Sequence, residues 1–219
     1  MDHALHPRRQ PVVSISRRAR RGAEIRQRIF RSAIRLFAER GYVPTRVEDI
    51  TEAADVAKGT FFNYFPSKEH LLIRFGEERT GLIRAALDRA VQSDSSIHTI
   101  LGDLWREQSK EPGQSREMAS SMMVTMLGSP EVKEQVCLYM RRNRGLLAKI
   151  IALGQNRGEI RRDRTSRDLA GEYQRIYFGA MLMWVLDRRE SLAAWQDESF
   201  CVFWASVAAH GKVHKGRSS

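Results

Sequence analysis

The stretch from Thr45 to Leu72, TRVEDITEAADVAKGTFFNYFPSKEHLL, limits most narrowly what this chain can fold into. Thr45 and Glu48 have the spacing of a capping box, which starts a helix because the two side chains satisfy free backbone N–H groups. Apolar side chains then recur on one face of that helix, at Val47, Ile50 and Ala53/Ala54. Asp55 follows at a turn position, where Asp tolerates left-handed backbone geometry. The pattern predicts a helix followed by a tight turn.

A second short helix is predicted from Lys58 to Phe65. Its inward face carries Gly59, Phe61 and Phe65, and its outward face carries Lys58, Thr60, Asn63 and Tyr64. Pro66 and Ser67 end this helix, and Ser67 can cap a third helix that begins at Lys68. A helix that enters the DNA major groove presents short polar side chains while a preceding helix steadies it on the backbone. The two helices are therefore predicted to form a helix-turn-helix.

These residues resemble the DNA-binding core of the tetracycline-repressor (TetR) family of bacterial transcription regulators. The positions that match the pattern of the family are Thr45, Ile50, Ala54, Val56, Gly59, Thr60, Tyr64, Phe65, Ser67, Lys68, Glu69 and Leu71. Four positions depart from it, with Thr51, Asp55, Ala57 and Phe62 in place of Ala, Gly, Ser and Tyr. Ala57 removes the usual cap of the second helix, a loss of about 0.5–2 kcal/mol. Phe62 lacks the hydroxyl that the family commonly sends to a phosphate.

We predict a DNA-binding surface made of Thr45, Arg46, Lys58, Gly59, Thr60, Asn63, Tyr64 and Lys68. Asn63 can pair with adenine and Lys58 with guanine, because their side chains match the donor and acceptor pattern of those base edges. Lys68 suits a phosphate at a helix N-terminus, where backbone donors favour an anion. The alternative for Thr45 and Ser67 is that they serve only as helix caps.

The formal net charge of +11 favours a polyanionic partner. The first 28 residues hold eight Lys/Arg against two Asp/Glu, so the N-terminal surplus lies before the helix-turn-helix. Residues 1–20 have the composition of a flexible basic arm. Its arginines either reach phosphates or the minor groove, or they form a solvated tail that raises only non-specific affinity. The arginines concerned are Arg17, Arg18 and Arg20 of the arm, and Arg21 at the start of the next helix joins them.

Helical periodicity continues along the rest of the chain without strand-type alternation, which predicts an all-α fold. We expect an N-terminal three-helix DNA-binding domain and a larger helical domain for ligand binding and dimerisation. The predicted organisation is a basic arm at 1–20, the DNA-binding domain at 21–66, a connecting helix at 67–92, the regulatory domain at 93–210 and a polar tail at 211–219.

Two strongly apolar helices are predicted near the end of the chain, at Leu169–Leu186 and Leu192–Ala209. They carry more apolar side chains than one buried face needs, and aromatic and Met side chains are favoured at the cores of interfaces. The resemblance implies that this pair forms a four-helix bundle in a homodimer, which a palindromic operator in double-stranded DNA requires. The alternative is that both helices are buried in the core of a monomer.

A set of Met and aromatic side chains is predicted to line an apolar cavity: Trp105, Met122, Met126, Met140, Tyr177 and Met181. Met is adaptable and suits a pocket that accepts varied apolar molecules. The resemblance implies that an unknown small apolar effector shifts a two-state equilibrium and releases the operator. The alternative is that these residues are ordinary core.

Several classes of protein are not expected. No apolar run reaches membrane-spanning length and the N-terminus lacks a signal-peptide core, so we expect a cytoplasmic protein. Cys137 and Cys201 are far apart, which predicts two reduced thiols buried as small apolar residues. The histidines and cysteines show neither metal-ligand spacing nor a nucleophile–base arrangement, and no Gly-rich phosphate loop is present. We therefore expect no enzyme, metal or cofactor.

The sequence favours a dimeric, sequence-specific repressor that a small apolar effector releases from DNA. Two alternatives stay open: a DNA-binding protein without small-molecule control, and a non-specific DNA binder driven by charge. Measurements of salt dependence and sequence preference identify the charge-driven binder, because binding by charge alone depends on salt but shows no sequence preference.

Overall fold

The computed structural model describes residues 17–110, 116–187 and 191–209. Within these ranges the chain forms helices and no strand, which confirms the all-α fold. The helices are α1 (Arg17–Arg40), α2 (Val47–Ala53), α3 (Lys58–Tyr64), α4 (Glu69–Gln92), α5 (Ile97–Gln108), α6 (Arg116–Gly128), α7 (Pro130–Arg157), α8 (Ser166–Leu186) and α9 (Leu192–Val207). None of the described helices has the length and apolar character that crossing a membrane requires.

The first helix begins earlier than predicted. Residues 17–20, assigned above to the basic arm, are helical and continue into the apolar stripe of α1. The segment is rich in Arg, a good helix former, so local propensity supports the extension. Residues 1–16 of the predicted arm and the tail at 211–219 lie outside the described residues.

Most helix ends follow local capping rules. Four helices begin after a Ser or Thr whose hydroxyl accepts a backbone N–H of the first turn: Ser96, Ser129, Thr165 and Ser191. Gly41 ends α1 and Gly158 ends α7, with φ of 87° and 77°. This left-handed backbone costs Gly little because it has no Cβ.

The buried side chains form two main clusters. The N-terminal cluster joins α1, α2, α3 and the start of α4, and it also contains the fully buried Met118 of α6. The larger cluster joins α4, α5, α7, α8 and α9. Trp105 lies near its centre and contacts the rings of Tyr173, Tyr177, Phe200 and Phe203. Because α4 contributes to both clusters, it connects the two cores. The helix α6 adds Met118 to the N-terminal cluster and Ala119 to a third, smaller cluster with Trp184 and Leu192.

The two cysteines differ from the prediction. Both Cys137 and Cys201 are exposed free thiols, so the expectation of burial is wrong. Each lies on the outward face of its helix, since Val136 and Phe203 fill the nearby inward positions.

The contact between α4 and α7 is unusually close at Gly76. A Cβ at this position would lie 2.6 Å from Cε1 of Tyr139, a separation that requires the ring or the helix to move. A Cβ at Gly81, five residues further along α4, would meet nothing within 4 Å. Replacing Gly with Ala is therefore expected to be unfavourable at Gly76 and tolerated at Gly81, although both residues lie on α4.

We expect Gly76→Ala to lower the free energy of unfolding by about 1–3 kcal/mol, because the added methyl group overpacks the α4–α7 contact. Gly81→Ala is the matched control and is expected to raise it by up to about 1 kcal/mol through helix propensity. Urea denaturation followed by circular dichroism measures both. Equal stability of the two variants would contradict the close contact.

Candidate nucleic-acid interface and cavity

The start of α2 differs from the predicted capping box by one residue. Arg46 is the N-cap residue, and its backbone N–H donates to Oδ2 of Asp49 at 2.7 Å. The side chain of Thr45 is fully buried, and its hydroxyl donates to the carbonyl of Gly41 at 2.6 Å. Thr45 therefore does not cap α2 with Glu48, and its side chain does not face a phosphate.

The turn between α2 and α3 agrees with the prediction. Asp55 has a left-handed φ of 49°. Its carbonyl accepts a hydrogen bond from Arg28 of α1 at 3.1 Å, and the hydroxyl of Ser32 donates to the carbonyl of Ala53 at 3.1 Å. Side chains of α1 thus satisfy backbone carbonyls at the turn and hold α2 and α3 against α1.

Two buried rings anchor α3. Phe61 and Phe65 are almost completely buried, with ring centroids 5.9 Å apart. Ala57 is the N-cap residue and makes no side-chain cap hydrogen bond, as its methyl side chain predicts. The helix therefore depends on burial of the two rings rather than on a cap to hold its position.

The outward face of α3 is open. Lys58, Gly59, Phe62 and Asn63 are exposed, and Thr60 and Tyr64 are partly exposed. The prediction that Gly59 faces inward is wrong, because a Cβ there would meet nothing within 4 Å. The ammonium of Lys58 pairs with the carboxylate of Glu48 at 2.5 Å, which lowers the pKa of Glu48. Both side chains are exposed, so this pair is a weak surface interaction that DNA can displace.

Lys68 is not available as a phosphate contact in this arrangement. Its ammonium donates to the carbonyls of Tyr42, Val43 and Thr45 at 2.8, 3.4 and 2.9 Å. It also lies 4.1 Å from the centroid of the Tyr42 ring, a cation–π contact. Burial lowers the pKa of Lys68. The three N–H donors of the ammonium are thus committed to the turn between α1 and α2.

Tyr42 connects this turn to two further helices. Its hydroxyl donates to Oε1 of Glu69 at the start of α4, at 2.9 Å. Its backbone N–H donates to the hydroxyl of Ser121 on α6, at 3.3 Å. Sequence reasoning missed Tyr42, Glu69 and Ser121 as a group because they are far apart along the chain. We call the set of Tyr42, Lys68, Glu69 and Ser121 the turn clamp.

Basic side chains flank α3 and α2. Arg46 is exposed at the start of α2. The N-terminal part of α1 lies beside α3, since a Cβ at Gly22 would be 3.3 Å from the hydroxyl of Tyr64. The exposed arginines at 17, 18, 20 and 21 therefore precede a point of contact with α3. This concentrates positive charge next to the open face of α3.

A cavity of about 90 Å³ lies between α4, α5, α6, α7 and α8. Its wall is mostly apolar and includes Phe75, Ile83, Met118, Met122, Tyr139, Met140, Leu147, Tyr173, Tyr177, Phe178 and Met181. Burial raises the pKa of Tyr139 and Tyr177 to about 12, so their hydroxyls are neutral at physiological pH. The hydroxyls of Tyr173 and Tyr177 donate to the side-chain and backbone oxygens of Gln108 at 3.1 and 3.0 Å.

Four of the six predicted ligand residues line this cavity: Met122, Met140, Tyr177 and Met181. Trp105 lies behind the wall, where its ring contacts Tyr173 and Tyr177, and Met126 is not part of the wall. Whether any of them binds a ligand stays a prediction.

The wall also contains polar side chains that were not predicted, namely Arg79, Gln108, Asn143 and Gln174 besides further tyrosines. Arg79 is the charged member of the wall, and Asn143 is buried with no hydrogen-bond partner for Oδ1 among the described residues. The sequence carries a signal for Arg79, because it falls on the same helical stripe as Leu72, Phe75 and Ile83. A charge on an otherwise apolar stripe indicates a specific partner or a cavity.

Within the described part of the chain, no three His, Cys, Asp or Glu side chains cluster closely enough to hold a metal ion.

Residues 29–75 match a family model described as bacterial regulatory proteins, tetR family. The chain is 37% identical over 79 residues to the HTH-type transcriptional repressor DhaR of Mycobacterium sp. strain GP1, an alignment that covers 35% of this chain and 38% of DhaR. It is 30% identical over 143 residues to the HTH-type transcriptional regulator TcmR of Streptomyces glaucescens, which covers 62% of each chain. The chain thus spans less than two thirds of the length of either curated relative.

Solved structures share the fold over a larger part of the chain. FadR of Thermus thermophilus, a TetR-family transcriptional repressor crystallised in complex with lauroyl-CoA, is 26% identical with a TM-score of 0.60. That alignment covers 81% of this chain and 92% of FadR. A TetR-family regulator structure from Syntrophomonas wolfei has a TM-score of 0.68 at 20% identity and covers 88% of this chain and 98% of its own. Because the identity is 20%, the similarity to the Syntrophomonas wolfei structure shows a shared fold alone.

We expect Lys68→Met to lower the free energy of unfolding of the N-terminal unit by about 1–3 kcal/mol, because three carbonyls lose a charged donor. Lys58→Met is the matched control, since it removes only an exposed pair and is expected to leave stability unchanged. Thermal unfolding followed by circular dichroism measures both variants. A Lys68→Met protein as stable as Lys58→Met would show that the turn clamp contributes little.

Proposed function

Because the chain belongs to the TetR family of bacterial regulatory proteins, we propose that it is a transcriptional repressor that binds double-stranded DNA as a homodimer. The names of its relatives agree with the prediction that it is a regulator rather than an enzyme. The observation that carries the proposal is the open polar face of α3, a short helix held from below by Phe61 and Phe65.

We assign base contacts to the exposed face of α3. Asn63 is exposed and suits adenine, and Lys58 suits guanine once it leaves Glu48. Gly59 has open space above its Cα, so the helix backbone can approach DNA closely at this point. Phe62 is also exposed and suits apolar contact with a thymine methyl group.

We assign phosphate contacts to the basic residues that flank α3. Arg46 is exposed at the start of α2 and suits the backbone. The exposed arginines of residues 17–21 precede the contact of α1 with α3, which favours their reaching the same DNA over their forming a remote tail. The side chains of Lys68 and Thr45, proposed from sequence for this surface, instead donate hydrogen bonds to backbone carbonyls of the turn between α1 and α2.

Selection of bound fragments from genomic DNA by the purified protein at physiological salt tests this function. Enrichment of one palindrome supports a sequence-specific regulator. Binding that is sensitive to salt and enriches no sequence supports the charge-driven alternative, in which the basic N-terminal residues supply the affinity.

On an enriched site, we expect Asn63→Ala to cost about 1–3 kcal/mol and to relax preference at one position in each half-site. We expect Arg46→Ala to weaken binding to all sequences and to reduce the salt slope by about 1, because it removes a phosphate contact. Fluorescence anisotropy titrations at several salt concentrations measure both effects. If the two variants behave alike, the division between base and phosphate contacts is wrong.

The proposed dimer interface is the outward face of α8 and α9. These helices bury one face in the monomer, yet α8 exposes Leu182, Met183 and Leu186 and α9 exposes Val202, each by 45–69%. The small residues Gly179, Ala194 and Ala205 lie on the same exposed faces, which allows the backbones of two helices to approach closely. Apolar exposure of this kind, arranged along helical stripes, is typical of an interface.

We expect Leu182→Glu to weaken dimerisation by at least about 100-fold, because it buries an unpaired carboxylate at the interface. Leu127→Glu on α6 is the matched control, since Leu127 is 82% exposed and lies outside these stripes. Analytical ultracentrifugation measures both. A dimer that survives Leu182→Glu unchanged would move the interface elsewhere.

The cavity is the proposed site of a small effector that releases DNA. Its wall includes Met118 and Phe75, which also belong to the N-terminal cluster. Ser121, in the same helix as Met118 and Met122, holds the backbone of Tyr42. A ligand that moves α4 or α6 therefore acts on the turn clamp and on the placement of α2 and α3.

The lauroyl-CoA complex of Thermus thermophilus FadR supports a ligand cavity in this fold. For this chain the effector is a proposal, and its alternative is a DNA-binding protein without small-molecule control. Titrating a broad library of apolar molecules into the protein–DNA complex separates the two. Operator affinity that stays unchanged throughout would favour the alternative.

A further inference from the structure

We infer that the ligand of the cavity is a small amphipathic anion, an aromatic or aliphatic carboxylate whose charged end pairs with Arg79. The inference rests on the proposed effector role of the cavity and assigns a chemical class to that effector. It departs from the purely apolar effector that the Met and aromatic side chains suggest by themselves.

Arg79 carries a charge that touches no carboxylate among the described residues, although Glu78 and Glu107 lie close enough to act on it electrostatically. The cavity wall contains no Asp or Glu. Among the described residues, the nearby carboxylates of Glu78 and Glu107 pair with Arg74 and Lys110 rather than with Arg79. The guanidinium of Arg79 donates to the carbonyls of Glu107 and Lys110 at 3.3 and 3.4 Å, which are long hydrogen bonds to neutral acceptors. These contacts use two of the guanidinium's roughly five N–H donors, so others are available for a carboxylate.

Arg79 is partly buried, with its hydrogen bonds to Glu107 and Lys110 at the exposed end, and this partial burial makes its charge costly without an anion. Burial is the main cause of the lowered pKa of Arg79, although a guanidinium stays protonated in proteins. The guanidinium also lies 4.6 Å from the centroid of the Phe75 ring, a further apolar neighbour. A buried charge is normally paired, because the low dielectric of the interior strengthens both the penalty of leaving it alone and the attraction of a partner.

Asn143 indicates a second polar group on the ligand. Asn143 is 6% exposed, lines the same cavity from α7, and has no donor to Oδ1 among the described residues. A buried acceptor of this kind is normally satisfied, so a ligand O–H or N–H suits it. The neutral Tyr139 and Tyr177 and the four Met side chains complete a wall for the apolar body.

The first test uses the unmodified protein and matched neutral probes. Isothermal titration calorimetry compares phenylpropanoate with phenylpropanamide and octanoate with octanamide. We expect a carboxylate to bind at least about tenfold more tightly than its amide, since a hydrogen bond to a charged group is worth that much. Adding a para-hydroxyl to phenylpropanoate is expected to tighten binding further through Asn143.

Equal binding of carboxylates and amides, or no binding by any carboxylate, overturns the inference. DNA selection with the same protein preparation reports separately on the proposed function. An enriched palindrome with no carboxylate preference therefore removes the anionic ligand and leaves the regulator, whereas a carboxylate preference without DNA binding removes the regulator.

Variants of Arg79 assign the effect to one residue. We expect Arg79→Gln to abolish the preference for carboxylate over amide and Arg79→Lys to keep part of it. Arg84→Gln is the matched control, because Arg84 is exposed on the same helix and lies outside the cavity wall. A preference that survives Arg79→Gln overturns the assignment. If Arg79→Gln does not fold, the comparison of the unmodified protein with Arg79→Lys decides the matter.

Discussion

The ammonium group of Lys68 holds the turn between α1 and α2 against the start of α4, and the arrangement of the N-terminal unit depends on it. Three backbone carbonyls within 3.4 Å would otherwise be left without this donor. The Tyr42 ring lies beside the charge, and its hydroxyl reaches Glu69. Because the carbonyls belong to the residues just before α2, the clamp sets where α2 and α3 lie relative to α4.

The two cores meet along α4, and the cavity lies beside that helix. Phe75 and Met118 belong to the N-terminal cluster and also form part of the cavity wall. Gly76 lets the Tyr139 ring of α7 pack so closely on α4 that one added methyl group does not fit without a shift. A packed contact of this kind does not deform gradually, so a molecule in the cavity acts on α4 as a whole. This is the physical basis of the coupling that we propose between an effector and the DNA-binding face.

The open faces of α3 and of α8 and α9 have different chemistry because their proposed partners differ. The α3 face carries the polar Lys58, Thr60 and Asn63 beside the exposed Phe62, with Phe61 and Phe65 turned inward to the core. The α8 and α9 faces expose Leu, Met and Val side chains although the opposite faces are already buried. These exposed apolar side chains do not stabilise a monomer, whereas a second copy of the chain can bury them and remove their surface from water.

The sequence alone determined the helices, the left-handed turn at Asp55 and the missing cap at Ala57, because these depend on neighbours within one or two helical turns. It also identified four of the cavity residues, since Met and aromatic side chains at helical spacing mark buried faces. Tertiary structure decided which partner each polar side chain contacts. Thr45 and Lys68 have the right chemistry for phosphates, yet backbone carbonyls of the turn after α1 occupy them. Arg79 and Asn143 line one cavity only because α4 packs on α7, and contacts between residues far apart along the chain leave no local pattern in the sequence.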